Sequence, residues 1–216
     1  MFPLYDESAP SISPPYVVFA LIGINVLVFI FTVFSISPEG TLSTFGVIPY
    51  NILEGKRLFT LITSLFLHAG VFHLIGNMWF LWIFGDNVEF NFGPLRFLAF
   101  YFLVGIIASL IHVFMASSKD MYIPMVGASG AISGVIGAYV VLYPYNKIKT
   151  LIFLFYRAFV YDIPAFFFVG VWFFYQLLYI GVPTSVAYMA HIGGFLSGML
   201  LCLLFRRKII KKDYRA

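Results

Sequence analysis

The feature that most constrains this chain is a series of long segments without a charged side chain. Four of them contain no Asp, Glu, Lys or Arg, namely residues 16–37, 58–84, 97–118 and 121–146. A helix needs about 20 apolar residues to cross a hydrocarbon core about 30 Å thick, so each segment can cross once. The uncharged run 163–205 is long enough for two crossings, and Gly181-Val182-Pro183 interrupts it where a turn is needed.

Composition agrees with this interpretation. The chain is 62% apolar and only 10% charged, whereas soluble domains have roughly half apolar and a quarter charged residues. We therefore predict an all-α polytopic membrane protein with six transmembrane helices in a compact bundle. Its expected parts are an N-terminal cytoplasmic tail (1–15), a membrane domain (16–205) and a basic C-terminal cytoplasmic tail (206–216).

The distribution of Lys and Arg predicts the orientation. If both termini are cytoplasmic, ten of the 13 basic residues fall on the inner side, and six of these ten lie in residues 206–215. This excess predicts that both termini are cytoplasmic, and we expect a multi-pass protein of the cell membrane. Its basic tail is expected to bind anionic headgroups of the lipid bilayer rather than nucleic acid. The apolar segment 150–162, which carries Arg157 and Asp162, is expected to lie in the interface.

Polar side chains within apolar helices are costly and therefore indicate function. Three clusters stand out in the spans: His68, His73 and Asn77 in the second, the Gly-Ala-Ser-Gly run 127–130 in the fourth, and residues 190–198 in the sixth. The lone Cys202 excludes an intramolecular disulfide and a multi-cysteine metal site. No metal or nucleotide motif is present, so no cofactor is expected.

Ser129 lies between Gly127 and Gly130. Small residues at four-residue spacing also allow membrane helices to approach closely, so packing alone is one explanation of this run. Pro124 indicates that the fourth helix begins close to it. The backbone N–H groups near Ser129 would then lack helical partners and could bind an anion.

His191, Gly194 and Gly198 share one helix face, so the histidine lies beside a groove where another backbone can approach. A serine hydroxyl becomes a nucleophile when an imidazole accepts its proton, and imidazole titrates near neutrality. The helices that carry Ser129 and His191 contain no Asp or Glu. The pattern therefore predicts a catalytic dyad without an orienting carboxylate.

His73 and Asn77 are four residues apart and also share a helix face. Both can direct hydrogen-bond donors to one point, as an oxyanion hole requires. A polar pair that bridges two helices is the alternative.

The ordered set His68-x4-His73-x3-Asn77, Gly127-x-Ser129-Gly130 and Ala190-His191-x2-Gly194-x3-Gly198 resembles the rhomboid family of intramembrane serine proteases. The resemblance covers about residues 16–205. It implies that Ser129 and His191 form the dyad and that His73 and Asn77 bind the oxyanion. It also implies supporting roles for His68 and for the motif glycines Gly127, Gly130, Gly194 and Gly198.

The resemblance further implies that the substrates are single-span membrane proteins, cleaved near the outer face after a small residue where the helix can unwind. Two positions depart from the family pattern. Lys56 precedes Arg57 where the family has Trp-Arg, and Ser133 stands where some members have a tyrosine against the catalytic histidine. Neither departure removes a reacting group.

Two other functions fit parts of the sequence. A transporter or channel could line its path with intramembrane His and Asn, but no inverted repeat is visible and the spans lack the acidic residues common in ion-coupled carriers. A catalytically inactive rhomboid-like protein that binds helices is the second alternative. The sequence leaves the oligomeric state open.

Overall fold

The computed structural model describes residues 1–7, 14–182, 184 and 186–209. Helices make up most of the described chain: α1 (Tyr16–Val33), α2 (Pro38–Phe45), α3 (Pro49–Leu53), α4 (Thr60–Thr63), α5 (Val71–Phe92), α6 (Pro94–Met115), α7 (Ser129–Leu142), α8 (Ala165–Leu178) and α9 (Tyr188–Ile209). A 3₁₀ turn, Ser64–Phe66, follows α4. Most of the predicted C-terminal tail, residues 210–216, lies outside the described residues.

Three of these helices, α1, α6 and α9, are long and apolar enough to cross a membrane. A fourth is added if Thr60–Phe66 and α5, which meet at a bend of 95°, form one broken span. The apolar helices α7 and α8 have 14 residues each, or about 21 Å at 1.5 Å per residue. The structure thus shows three or four candidate spans, and six crossings remain a prediction.

The expectation of an all-helical chain is corrected by a three-stranded antiparallel sheet. Its strands are β1 (Phe2–Asp6), β2 (Lys147–Leu154) and β3 (Arg157–Pro164), in the order β1-β2-β3. The segment expected to lie in the interface is therefore a β-hairpin, and β1 brings part of the predicted tail into the fold. Short runs of aromatic and β-branched residues fit a strand or a helix equally well by periodicity, which explains the error.

The sheet lies at one end of the helical bundle, because β2 follows the end of α7 and β3 leads directly into α8. The same end holds the start of α1, where the buried Glu89 carboxylate accepts hydrogen bonds from the backbone N–H groups of Val17 and Val18 at 3.0 and 2.9 Å. An acidic side chain at this position satisfies N–H groups that have no helical partner and also complements the helix dipole.

Helix α7 lies in the centre of the bundle, with a continuous buried stretch from Gly130 to Tyr139. It packs in parallel against α9 through glycines. A Cβ atom at Gly194 would collide with the Gly130 carbonyl oxygen, and one at Gly198 would collide with the Gly134 carbonyl oxygen. The two backbones therefore touch along two helical turns, which fixes how the start of α7 faces the start of α9.

Candidate active site

Ser129 is the first residue of α7. In any α-helix the first N–H groups have no intrahelical acceptor, so this turn presents free donors and the positive end of the helix dipole. The sequence predicted a start near Pro124, and the structure places it five residues later, at the serine itself. Ser129 is therefore part of the turn that carries these N–H groups.

Gly127 shapes the loop that leads into Ser129. Its backbone φ angle is +125°, which residues other than glycine rarely adopt. Its N–H group donates to the Ser64 carbonyl oxygen at 2.9 Å. A Cβ atom there would lie 2.9 Å from His73 Nε2 and 3.7 Å from Ser129 Oγ. The absent side chain thus leaves the space in which His73 approaches the serine loop.

His191 is in the first turn of α9, and the glycine contacts bring that turn against the start of α7. A Cβ atom on Gly130 would lie 3.7 Å from both the Cβ atom and the carbonyl oxygen of Ala190. The residues that follow Ser129 and precede His191 are therefore neighbours. The hydrogen bonds among the described residues do not include one between Ser129 and His191.

The imidazole of His191 has a partner that the sequence analysis did not anticipate. Its Nδ1 atom lies 2.8 Å from Oε1 of Gln176, a buried residue of α8. The ring is also stacked on Trp172 at a centroid distance of 6.4 Å and meets Tyr188 edge-on at 6.3 Å. A glutamine alone within an apolar helix is a sequence signal that could have singled out Gln176, although not its contact with His191.

Ser133 occupies the position at which some family members have a tyrosine. Its Oγ atom donates to the Ser129 carbonyl oxygen at 2.7 Å, one turn earlier in α7. It therefore supports the backbone of the serine turn. Side chains of α8 and α9, rather than residue 133, surround the His191 ring.

His73 and Asn77 lie together in the first two turns of α5, as predicted. The Asn77 amide donates to the His73 carbonyl oxygen at 2.9 Å, which uses one of its two N–H groups. His68 is buried, and its ring meets that of His73 edge-on at a centroid distance of 5.1 Å. The three residues of this motif thus form one polar cluster beside Gly127.

The first loop is tied to the segment that leads into α7. Val47 and Met125 exchange two backbone hydrogen bonds of 2.9 and 2.8 Å. Arg57, with φ of +53°, donates from Nη1 to the Ser43 carbonyl oxygen at 3.2 Å, and Lys56 instead pairs with Glu54 at 3.5 Å. Arg57 therefore anchors the loop without the tryptophan that usually precedes it in the family.

Comparison with known proteins identifies the family of this chain. The family model of the rhomboid domain matches residues 55–208, and the chain belongs to the rhomboid family. It is 32% identical over 172 residues to RHOMBOID-like protein 6, mitochondrial, of Arabidopsis thaliana, covering 76% of this chain and 49% of the relative. The chain thus spans about half the length of that relative.

Two further relatives differ in the activity that their names state. Rhomboid protease GluP of Bacillus subtilis is 38% identical over 98 residues, 45% of this chain and 18% of GluP. Inactive RHOMBOID-like protein 8 of Arabidopsis thaliana is 37% identical over 99 residues, 45% of this chain and 27% of the relative. Family membership therefore establishes a membrane protein of this fold. It does not establish proteolytic activity or a location in the cell membrane.

Proposed function

We propose that this protein is a serine endopeptidase that hydrolyses peptide bonds in or near the transmembrane segments of single-span membrane proteins. The observation that carries the proposal is the parallel glycine packing of α7 on α9. This packing brings the first turn of α7, which begins at Ser129, against the first turn of α9, which contains His191. A role in packing alone would explain the glycines but not the hydroxyl and the imidazole at their ends.

In the proposed reaction His191 accepts the Ser129 hydroxyl proton while Oγ attacks the peptide carbonyl carbon. The tetrahedral intermediate collapses when the C–N bond breaks and His191 returns the proton to the leaving amine. A water molecule then attacks the acyl-enzyme, with His191 again as base, and releases the carboxylate product and the free serine. The steps balance without a cofactor.

The oxygen of the attacked peptide carbonyl becomes negative in these steps and requires hydrogen-bond donors. The free N–H groups of the first turn of α7 are one source, and His73, which borders the serine loop at Gly127, is a second. Asn77 has one N–H group left after its bond to the His73 carbonyl oxygen. Together these donors form the proposed oxyanion site.

We extend the proposal to six crossings of the cell membrane with both termini in the cytoplasm. The central position of α7 supports this count, because a helix enclosed by other helices does not have to match the thickness of the lipid by itself. The uneven distribution of Lys and Arg supports the orientation. In this arrangement the sheet faces the cytoplasm and Ser129 lies near the outer face.

The test uses the full chain, purified and reconstituted in liposomes with a panel of single-span segments. Mass spectrometry locates the cuts, and a fluorophosphonate probe reports an activated serine. We expect cleavage and labelling by the natural chain and neither by Ser129→Ala. If the natural chain is folded but shows neither cleavage nor labelling, the protein is an inactive relative and the proposal is wrong.

A further inference from the structure

The hydrogen bond between α8 and α9 bears on how the catalytic base is held. His191 Nδ1 and Gln176 Oε1 are 2.8 Å apart, and Gln176 is buried. The other end of the amide is also bound, since Gln176 Nε2 donates to the Trp172 carbonyl oxygen at 3.2 Å, one turn earlier in α8. Both polar atoms of the amide therefore have partners.

These two partners determine the orientation of the amide. If the amide were rotated by 180°, Oε1 would face the Trp172 carbonyl oxygen, and two acceptors would oppose each other. The orientation with Oε1 toward His191 removes that conflict. Because a carbonyl oxygen can only accept, the proton of a neutral His191 must reside on Nδ1.

We propose that Gln176 is a positioning residue that fixes the tautomer and ring orientation of His191, so that Nε2 is unprotonated and available to accept the Ser129 proton. The inference rests on the proposed serine protease function. It assigns to an uncharged amide the role that a carboxylate has in a Ser-His-Asp triad.

The surroundings of the ring support this assignment. Trp172, whose carbonyl holds the amide, also stacks on the imidazole at an interplanar angle of 28°. One turn of α8 thus contacts His191 through both an aromatic face and a hydrogen bond. Ser133 makes neither contact, and its hydroxyl instead donates to the Ser129 carbonyl oxygen.

Two variants separate positioning from packing. Gln176→Leu keeps the volume but removes the acceptor, whereas Gln176→Glu keeps a carbonyl oxygen for Nδ1–H. Asn25→Leu is the matched control, since Asn25 is a buried amide of α1 whose Nδ2 donates to the Leu21 carbonyl oxygen at 2.8 Å in the same one-turn pattern. Asn25 lies outside the proposed site.

We expect Gln176→Leu to lower kcat about ten-fold, the worth of one neutral hydrogen bond, with little change in KM. Gln176→Glu should recover most of the rate and move the acid limb of the pH–rate profile to higher pH, because a carboxylate stabilises the imidazolium. Asn25→Leu should leave kcat unchanged.

A second measurement reports on the tautomer without proteolysis. Histidine ¹⁵N chemical shifts distinguish Nδ1–H from Nε2–H, and His191 is assigned by comparison with His191→Ala. We expect the Nδ1–H form in the natural chain and in Ser129→Ala, and a mixture of both forms in Gln176→Leu.

The outcomes keep the two proposals distinguishable. A protein that neither cleaves nor labels with the probe contradicts the protease function, while the ¹⁵N shifts still test the contact with Gln176. An active protein in which Gln176→Leu retains the natural kcat, or in which His191 has the Nε2–H form, overturns the positioning role. The positioning role is also overturned if Gln176→Leu and Gln176→Glu lose kcat to the same extent and lose thermal stability in parallel.

Discussion

The two ends of the bundle satisfy their buried polar groups in different ways. At the sheet end, Asp6 Oδ2 accepts hydrogen bonds from Asn87 Nδ2 at 2.8 Å and from the Tyr139 hydroxyl at 2.6 Å. At the site end, Ser64 Oγ and both ring nitrogens of His68 are buried without a hydrogen-bond partner among the described residues. These are three of the five such atoms in the described part of the chain.

We interpret the polar groups at the sheet end as structural and those at the site end as functional. A buried polar group without a partner costs free energy, so such groups are rare except where function requires them. Asp6 and its partners bind one another and join β1 to α5 and α7. His68 packs edge-on against His73, and the Ser64 carbonyl oxygen accepts a hydrogen bond from the Gly127 N–H, so both residues border the proposed site. Substitutions at the two ends should therefore affect different measurements.

The largest effect is expected at the reacting groups. Ser129→Ala and His191→Ala should each lower proteolysis by about a thousand-fold or more, because each removes a group that takes part in bond formation or proton transfer. Thermal unfolding should change little. Ser197→Ala is a matched control, since Ser197 in α9 donates only to the Gly194 carbonyl oxygen at 2.9 Å. Substantial turnover in either dyad variant would refute the mechanism.

Asn77→Ala should have the next largest effect on rate. We expect kcat to fall by about ten- to a thousand-fold with little change in KM, because an oxyanion donor acts in the transition state. The lower figure allows for His73 and the backbone N–H groups as remaining donors. Single-turnover rates and thermal stability are measured on the same preparation. A destabilised variant with a normal rate would show that Asn77 only links its helix turn to His73.

Gly194→Ala tests the packing that brings the dyad together. The added Cβ atom would collide with the Gly130 carbonyl oxygen, so α9 must move away from α7, and overpacking of this kind costs about 1–3 kcal/mol. Activity and melting temperature should fall together. Gly23→Ala in α1 is the control, because a Cβ atom there meets nothing within 4 Å. An active, stable Gly194→Ala protein would show that this close packing is not required.

The same contrast explains which parts could be predicted from the sequence. The site end depends on motifs in which residue type and spacing indicate a particular chemistry, so His73, Asn77, Ser129 and His191 could be proposed as site residues before their helices were seen. Their catalytic roles stay predictions. Gln176 was missed because it contacts His191 across two helices at a separation of 15 residues, and a single amide in an apolar run has no motif.

The sheet end was predicted poorly for a physical reason. β1 forms only when residues 2–6 meet β2, which lies more than 140 positions later in the chain. No local periodicity encodes such a pairing, whereas the apolar length that predicts a helix is a local property. Asp6 likewise was assigned to a tail, because its two partners in α5 and α7 become neighbours only in the folded chain.

The smallest expected effect concerns Asp6 at the sheet end and appears as a dependence of stability on pH. Burial raises the pKa of Asp6 to about 6 from its ordinary value of 3.8, although the hydrogen bond from Tyr139 opposes this. The folded protein therefore binds this proton more tightly than the unfolded chain. The resulting stabilisation is complete below about pH 4 and is lost as the pH rises to about 6 and above.

Asp6→Asn retains an acceptor for Asn87 and Tyr139 but cannot ionise. We expect the melting temperature of the natural chain, relative to that of Asp6→Asn, to fall between pH 4 and pH 6.5, with the probe labelling of Ser129 at a fixed pH unchanged. A constant difference in melting temperature across this range would show that Asp6 does not titrate in the folded protein, and a loss of labelling in Asp6→Asn would show that the two ends are coupled.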